Sequence, residues 1–123
     1  MEFREPRAIY LQIADFVCDR ILLKEWKATE RIPSVRELAV QLEVNPNTVM
    51  RTYEFLQQQD IIYNERGVGL FVVVNAIKNA MQYRKDEFLD KDLPRLFRNM
   101  HLLNIKPEDL QSRFEKYKKQ HFS

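Results

Sequence analysis

The sequence predicts an α+β protein: three helices and a β-hairpin, followed by a small all-helical segment. Three observations carry this reading. Apolar residues recur at helical spacing over 8–24, 34–42 and 46–59, the pattern of helices with one buried face. Residues 61–74 switch to the β-branched and aromatic runs IIYNE and LFVVV, separated by RGVG, which reads as a hairpin. From residue 75 the helical spacing returns.

Each element has its own signals. In the first helix Ile9, Ile13, Val17 and Ile21 form the apolar row, with Asp15, Asp19 and Arg20 on the other side. A turn, EWKATERIP, separates it from SVRELAVQL. Ser34 is a good N-cap, and Glu37 three residues later completes a capping box. Val35, Leu38, Ala39 and Leu42 make the buried stripe of the second helix. The third starts at Asn45, a cap, with Pro46 at the first helical position, where a missing N–H costs nothing. Val49, Tyr53 and Leu56 give it a buried side, and Gln59-Asp60 should end it. Gly67 and Gly69, the chain's two glycines, mark the hairpin tip. Beyond it, Ile77 and Met81 belong to one helical stretch, and Pro94 must start a new helix or kink a long one. Pro107 opens a last helix with Glu108 and Asp109 at its start and Lys116, Lys118 and Lys119 near its end, matching the helix dipole.

Composition removes several function classes. The 123 residues are 45% hydrophobic and 31% charged, ordinary for a globular domain with a modest core. No secretory signal is visible behind the charged opening MEFREPR, and GLFVVV is too short to span a bilayer. A cytoplasmic protein without membrane partners is expected. Cys18 is the only cysteine, so an intrachain disulfide and a cysteine zinc site are excluded; it lies among apolar residues and reads as core. His101 and His121 lack metal-ligand spacing, and no phosphate loop or Ser/His/Asp grouping is present. RKDEFLDKD mixes acids with bases and reads as a solvated helix face. No metal, cofactor or enzymatic activity is expected.

The order helix, helix, short turn, helix, hairpin is that of a winged helix-turn-helix. The brief connection at Glu43-Val44-Asn45 forces a steep crossing of the second and third helices. Asn47 and Thr48 then sit on the first turn of a helix whose other side is buried. Their side chains and the free N–H groups there can face phosphates and base edges. Arg51 lies one turn further on. At the wing, Gly67 and Gly69 allow close backbone approach to a sugar-phosphate strand, and Arg66 supplies charge. Residues 1–75 hold nine Lys/Arg against eleven Asp/Glu, whereas 76–123 hold eleven against seven. Any DNA binding by the first part therefore works through a local patch and not a basic field.

YLQIADFV, RIPSVRELAVQLEVNPNTVMRTYEFLQQQDII and ERGVGLFV resemble the DNA-binding domain of GntR-type transcription regulators, and PSVRELA with the short tail resembles the YtrA-like subfamily. The resemblance is dense over 8–74. It implies a dimeric repressor on a roughly palindromic operator, often one controlling transporter genes. It places the family's DNA-contacting arginine on Arg36, the polar recognition tip on Asn45, Asn47 and Thr48, the subfamily's recognition-helix arginine on Arg51, and the wing tip on Arg66 and Gly67. With Ser34 these form the candidate DNA-binding set. The chain departs from the family pattern at Lys24, Thr29 and Glu43, where glycines are usual. It departs also at Pro46, where many members carry Arg or another polar residue, and at Leu70, where Thr or Ser is common.

The domains expected are a DNA-binding winged helix over 8–75 and a helical dimerisation segment over 76–123, which could also take an effector. Phe88, Leu89, Leu96, Phe97, Met100 and Leu103 are more apolar surface than a thin pair of helices can bury, and form the candidate dimer interface. The partners expected are double-stranded DNA and a second copy of the chain. Two other classes fit less of the sequence: a winged helix used for protein contact, which the −2 charge of residues 1–75 would favour, and a catalytic domain with a helical lid.

Overall fold

The structure, a computed structural model, describes residues 7–122; the charged opening stretch lies outside them, apart from Arg7. The elements run α1 (Ile9–Leu22), α2 (Val35–Leu42), α3 (Pro46–Gln58), β1 (Ile62–Glu65), β2 (Gly69–Val72), α4 (Ala76–Glu87), a π-helical turn (Phe88–Asp92), α5 (Leu93–Leu102) and α6 (Pro107–His121). This is a winged helix-turn-helix followed by a helical segment. β1 and β2 pair antiparallel with Ile62 opposite Val72 and Glu65 opposite Gly69. The chain before α2 adds a short third edge to this wing. Thr29 N–H donates to Val72 O (2.8 Å), Val72 N–H to Glu30 O (3.0 Å) and Ile32 N–H to Leu70 O (2.9 Å). The sequence pattern showed this stretch only as a turn, because a single bridged residue, Arg31 opposite Phe71, leaves no alternation to detect.

One core serves the first three helices and the wing. Ile13, Val17 and Ile21 of α1 meet Leu38 of α2, Val49, Tyr53 and Leu56 of α3, and Ile62 and Val72 of the hairpin. Cys18 is fully buried there, and burial pushes its thiol up to about 12, with the Asp15 carboxylate adding to the shift. It is a packed apolar group and not a nucleophile. Ala76 and Ala80 of α4 belong to the same core. Arg84 pairs with Asp15 and Asp19 of α1, both at 3.3 Å, and Arg7 pairs with Asp15 and donates to the Tyr83 hydroxyl. The compact unit therefore runs to Lys85, ten residues past the 75/76 division that the sequence pattern suggested. A second compact unit begins at Asp86. In it the widened π-helical turn precedes Pro94, which lacks the N–H that an α-helix would direct to the Asp90 carbonyl.

Four helices end in the same way without glycine. Lys24, Glu43, Asp60 and Asn104 take left-handed φ of 63°, 56°, 56° and 57°. In each case the next N–H returns to the carbonyl three residues inside the helix end: Glu25 to Arg20, Val44 to Ala39, Ile61 to Leu56 and Ile105 to Met100, at 2.8–3.0 Å. This is the Schellman closure, which glycine fits best. A side chain in the left-handed region costs roughly 1 kcal/mol. Glu43→Gly should therefore raise the stability of the fold by about 0.5–1 kcal/mol, the gain being limited by the extra freedom of the unfolded chain. Denaturant unfolding with an unchanged slope and a higher midpoint is the expected result.

Candidate nucleic-acid interface

The site is built where α2 and α3 begin and where the wing turns back. Ser34 Oγ accepts the Glu37 N–H (3.1 Å) and Glu37 Oε1 accepts the Ser34 N–H (3.2 Å), so the capping box is complete. The Ser34 bonds, backbone first and side chain second, hold the Glu37 carboxyl below its ordinary value. Ser34 keeps its hydroxyl proton available as a donor. Arg36, on the first turn, is exposed. Glu43 turns the chain, and Asn45 caps α3 by accepting the Asn47 N–H at 2.8 Å. Its amide N–H₂ remains a free pair of donors. Asn47 is exposed and Thr48 half-buried. Pro46 stands at the start of α3, where it presents no N–H, so the donors at this tip are those of the following residues.

α3 is held from two sides. Thr52 Oγ1 donates to Tyr10 O (2.7 Å) on α1, and Tyr53 Oη donates to Pro33 O (2.7 Å) just before α2. Burial, with the Glu37 charge adding, pushes the Tyr53 hydroxyl above the ordinary phenol range, so it is a neutral donor. Arg51 lies across the Tyr10 ring, its guanidinium carbon 3.9 Å from the centroid.

At the wing Arg66 and Gly67 are exposed, and Gly67 takes φ 78°. Gly69, at φ 146°, lies under the Arg31 side chain: a Cβ there would come within 2.8 Å of Arg31 Nε. Arg31 is a basic residue at this face that the sequence pattern did not single out, since it sits in a turn outside every motif. Its nearness to Gly69, and to Glu37, whose carboxyl it also lowers, puts the wing base beside the start of α2. Among the described residues no carboxylate lies within ion-pair distance of Arg31, Arg36, Arg51 or Arg66. Met50, on the same outward turn as Asn47, is also exposed; a helical apolar pattern gives no reason to separate it from core positions.

Of the apolar residues singled out in the helical tail, Phe88, Leu89, Leu96, Phe97 and Leu103 are exposed, whereas Met100 is buried at 7% exposure. Met100 thus lacks the exposure expected of an interface residue; its carbonyl accepts the Ile105 N–H that closes α5 (2.8 Å). Among the described residues no group of three His, Cys, Asp or Glu side chains could hold a metal ion, and no helix is long and apolar enough to cross a membrane.

A helix-turn-helix with exposed polar and basic residues at both helix starts and a glycine-tipped wing defines a DNA-binding transcription regulator. Residues 9–72 match the family described as bacterial regulatory proteins, gntR family. Over 109 residues the chain is 35% identical to the HTH-type transcriptional regulator YhcF of Bacillus subtilis, covering 89% of this chain and 88% of the relative. Over 107 residues it is 33% identical to the HTH-type transcriptional repressor YtrA of the same organism, covering 87% and 82%. A crystal structure of a GntR-family transcriptional regulator from Bacteroides thetaiotaomicron matches with a TM-score of 0.72 at 44% identity, over 92% of this chain and 98% of that one. The chain belongs to the GntR family of transcription regulators, on its YtrA-like side. The family is one of DNA-binding proteins and not of enzymes.

The two wing glycines differ in what a side chain would meet. Gly67→Ala meets no atom within 4 Å and should cost about 1 kcal/mol for its positive φ alone. Gly69→Ala must also displace Arg31, and should cost about 1–3 kcal/mol. Unfolding midpoints of the two variants check the order.

Proposed function

We propose that the protein is a repressor that binds an inverted-repeat operator as a homodimer, with the winged helix making the DNA contacts and the helical unit from Asp86 the association. The observation that carries the DNA-contact reading is the set of exposed guanidiniums at the start of α2, on α3 and on the wing that meet no carboxylate among the described residues. A guanidinium without a partner in the free protein gives up no ion pair when it meets a phosphate or a guanine edge. Asn45, Asn47 and Thr48 add neutral donors at the α3 tip, and Ser34 and Arg31 add a hydroxyl and a cation at the start of α2 and the wing base. The relative YtrA is named a repressor, which supports the direction of regulation; transporter genes are the targets to test first.

Arg36→Ala and Arg51→Ala should each weaken operator binding by about 1–3 kcal/mol if the arginine reads a base. Arg66→Ala should weaken operator and unrelated DNA alike, because a phosphate contact carries no sequence information. The operator is first recovered by selecting bound sequences from random DNA with the purified protein. If all three folded variants bound it like wild type, the DNA face would lie elsewhere.

The homodimer rests on apolar exposure in the second unit: Phe97 is 55% and Leu103 68% exposed, with Phe88, Leu89 and Leu96 beside them in sequence. Exposed apolar residues in such number mark an interface. A two-fold pair also converts the second half-site contact into an intramolecular event. Phe97→Glu with Leu103→Glu in the full chain should give a monomer in sedimentation and lose most operator affinity, while Met100→Glu should unfold its unit. A wild-type protein that sediments as a monomer at micromolar concentration and binds a half-site tightly would overturn the homodimer.

A further inference from the structure

We propose that Tyr10 of α1 is a positioning residue for base readout: its ring is the platform that orients the Arg51 guanidinium before DNA arrives. This rests on the reading of Arg51 as a DNA-contacting residue. The guanidinium carbon lies 3.9 Å from the Tyr10 ring centroid, a face contact well inside cation–π range. In the parallel stack that arginine takes over aromatic rings, the face of the guanidinium is occupied and its N–H donors stay in the open plane, the edge that a guanine O6/N7 pair takes up.

The platform is itself held by the residues that flank Arg51 on α3. The Tyr10 carbonyl accepts the hydroxyl of Thr52, the next residue, at 2.7 Å, and Thr52 is fully buried. Phe55, one turn beyond Arg51, meets the Tyr10 ring edge-on, with centroids 6.3 Å apart and planes at 79°. Phe55 in turn packs edge-on against Tyr83 of α4 at 5.2 Å. The Thr52 hydrogen bond thus fixes the Tyr10 backbone against α3, and the Phe55 contact braces one edge of its ring on the helix that carries Arg51. Among the described residues no carboxylate competes for the guanidinium. A long, rotamer-rich side chain that is already ordered loses less freedom when it binds.

The test compares Tyr10→Leu, which keeps apolar bulk but removes the π face, with Tyr10→Phe, which keeps the face. Each is made in the full chain with and without Arg51→Ala, and affinity is measured for the selected operator and for unrelated DNA. Tyr10→Leu is expected to lose roughly three- to tenfold in operator affinity, with unrelated-DNA affinity and the salt dependence unchanged. Tyr10→Phe should bind like wild type. In the Arg51→Ala background Tyr10→Leu should cost nothing more. A loss that persists in that background would show Tyr10 acting through packing, and an unaffected Tyr10→Leu would also overturn the proposal. If instead Arg51→Ala alone binds operator like wild type, it is the assignment of Arg51 to the DNA face that fails. A readout independent of folding of the variants is the proton spectrum of the wild-type protein. The Arg51 side-chain protons should be ring-shifted upfield when free and remain so on operator DNA; unshifted resonances would overturn the platform.

Discussion

Two adjacent buried hydroxyls on α3 set the geometry on which the DNA face depends. Thr52 bonds to the backbone of α1 and Tyr53 to the backbone just before α2. Thr52 Oγ1 can also turn to the Thr48 carbonyl of its own helix (3.1 Å). The Tyr53 hydroxyl has Pro33 O as its acceptor, and leaving it unpaired in the core would cost about 1–3 kcal/mol, so the rotation and depth of α3 are set chiefly by Tyr53, with Thr52 adding to it. Apolar packing alone would tolerate a small slide or twist of the helix; directional hydrogen bonds to two different elements do not. With that rotation fixed, Val49 and Leu56 face inward while Asn47, Met50 and Arg51 emerge on the outer surface. The recognition helix is therefore aimed by polar groups inside the core and not by the residues that would touch DNA.

The second constraint is the sparing use of glycine. Both glycines lie in the wing, and the helix ends that ordinarily take glycine are closed by Lys24, Glu43, Asp60 and Asn104 in left-handed conformation. These sites are exposed, so their side chains clash with nothing beyond their own backbone, and the closing hydrogen bonds to the helix carbonyls offset part of the strain. In the wing no such exchange is open. Gly69 lies beneath a side chain that itself belongs to the basic face, so there the lack of a Cβ is needed for the approach of Arg31 as well as for φ.

Much of the fold was legible because local and global signals agree. The capping box at Ser34 and Glu37, the Asn45-Pro46 helix start and the switch from helical spacing to β-branched and aromatic runs over 61–74 each have a short-range physical cause, and each appears where the pattern put it. What escaped the sequence was set by distant contacts. The strand-like stretch at Arg31 exists only because β2 offers it hydrogen bonds. The extension of the core into α4 depends on Ala76 and Ala80, residues too small to register as an apolar stripe. Met100 sits at the same helical spacing as Leu96 and Leu103, yet it is buried and they are exposed; periodicity places residues on a face but does not say which part of that face is covered. At the candidate site the residue types were visible, but no local pattern marks Tyr10 as a neighbour of Arg51, because the two meet only where α1 packs on α3.

The charge distribution gives this arrangement its logic. A winged helix whose first 75 residues carry more acids than bases gains little from long-range attraction to DNA, and the acids of α1 are in part neutralised internally by Arg7 and Arg84. Non-specific affinity, which comes from neutralised phosphates, is correspondingly expected to be weak. Discrimination then depends on a few groups held in the right place, since a misplaced guanidinium has no surrounding basic field to compensate for it. Under that condition, ordering side chains in advance and doubling the number of half-site contacts by association are the two remaining sources of affinity. On the proposed reading, Arg51 over the Tyr10 ring would supply the first, and the exposed apolar residues of the helical tail the means for the second.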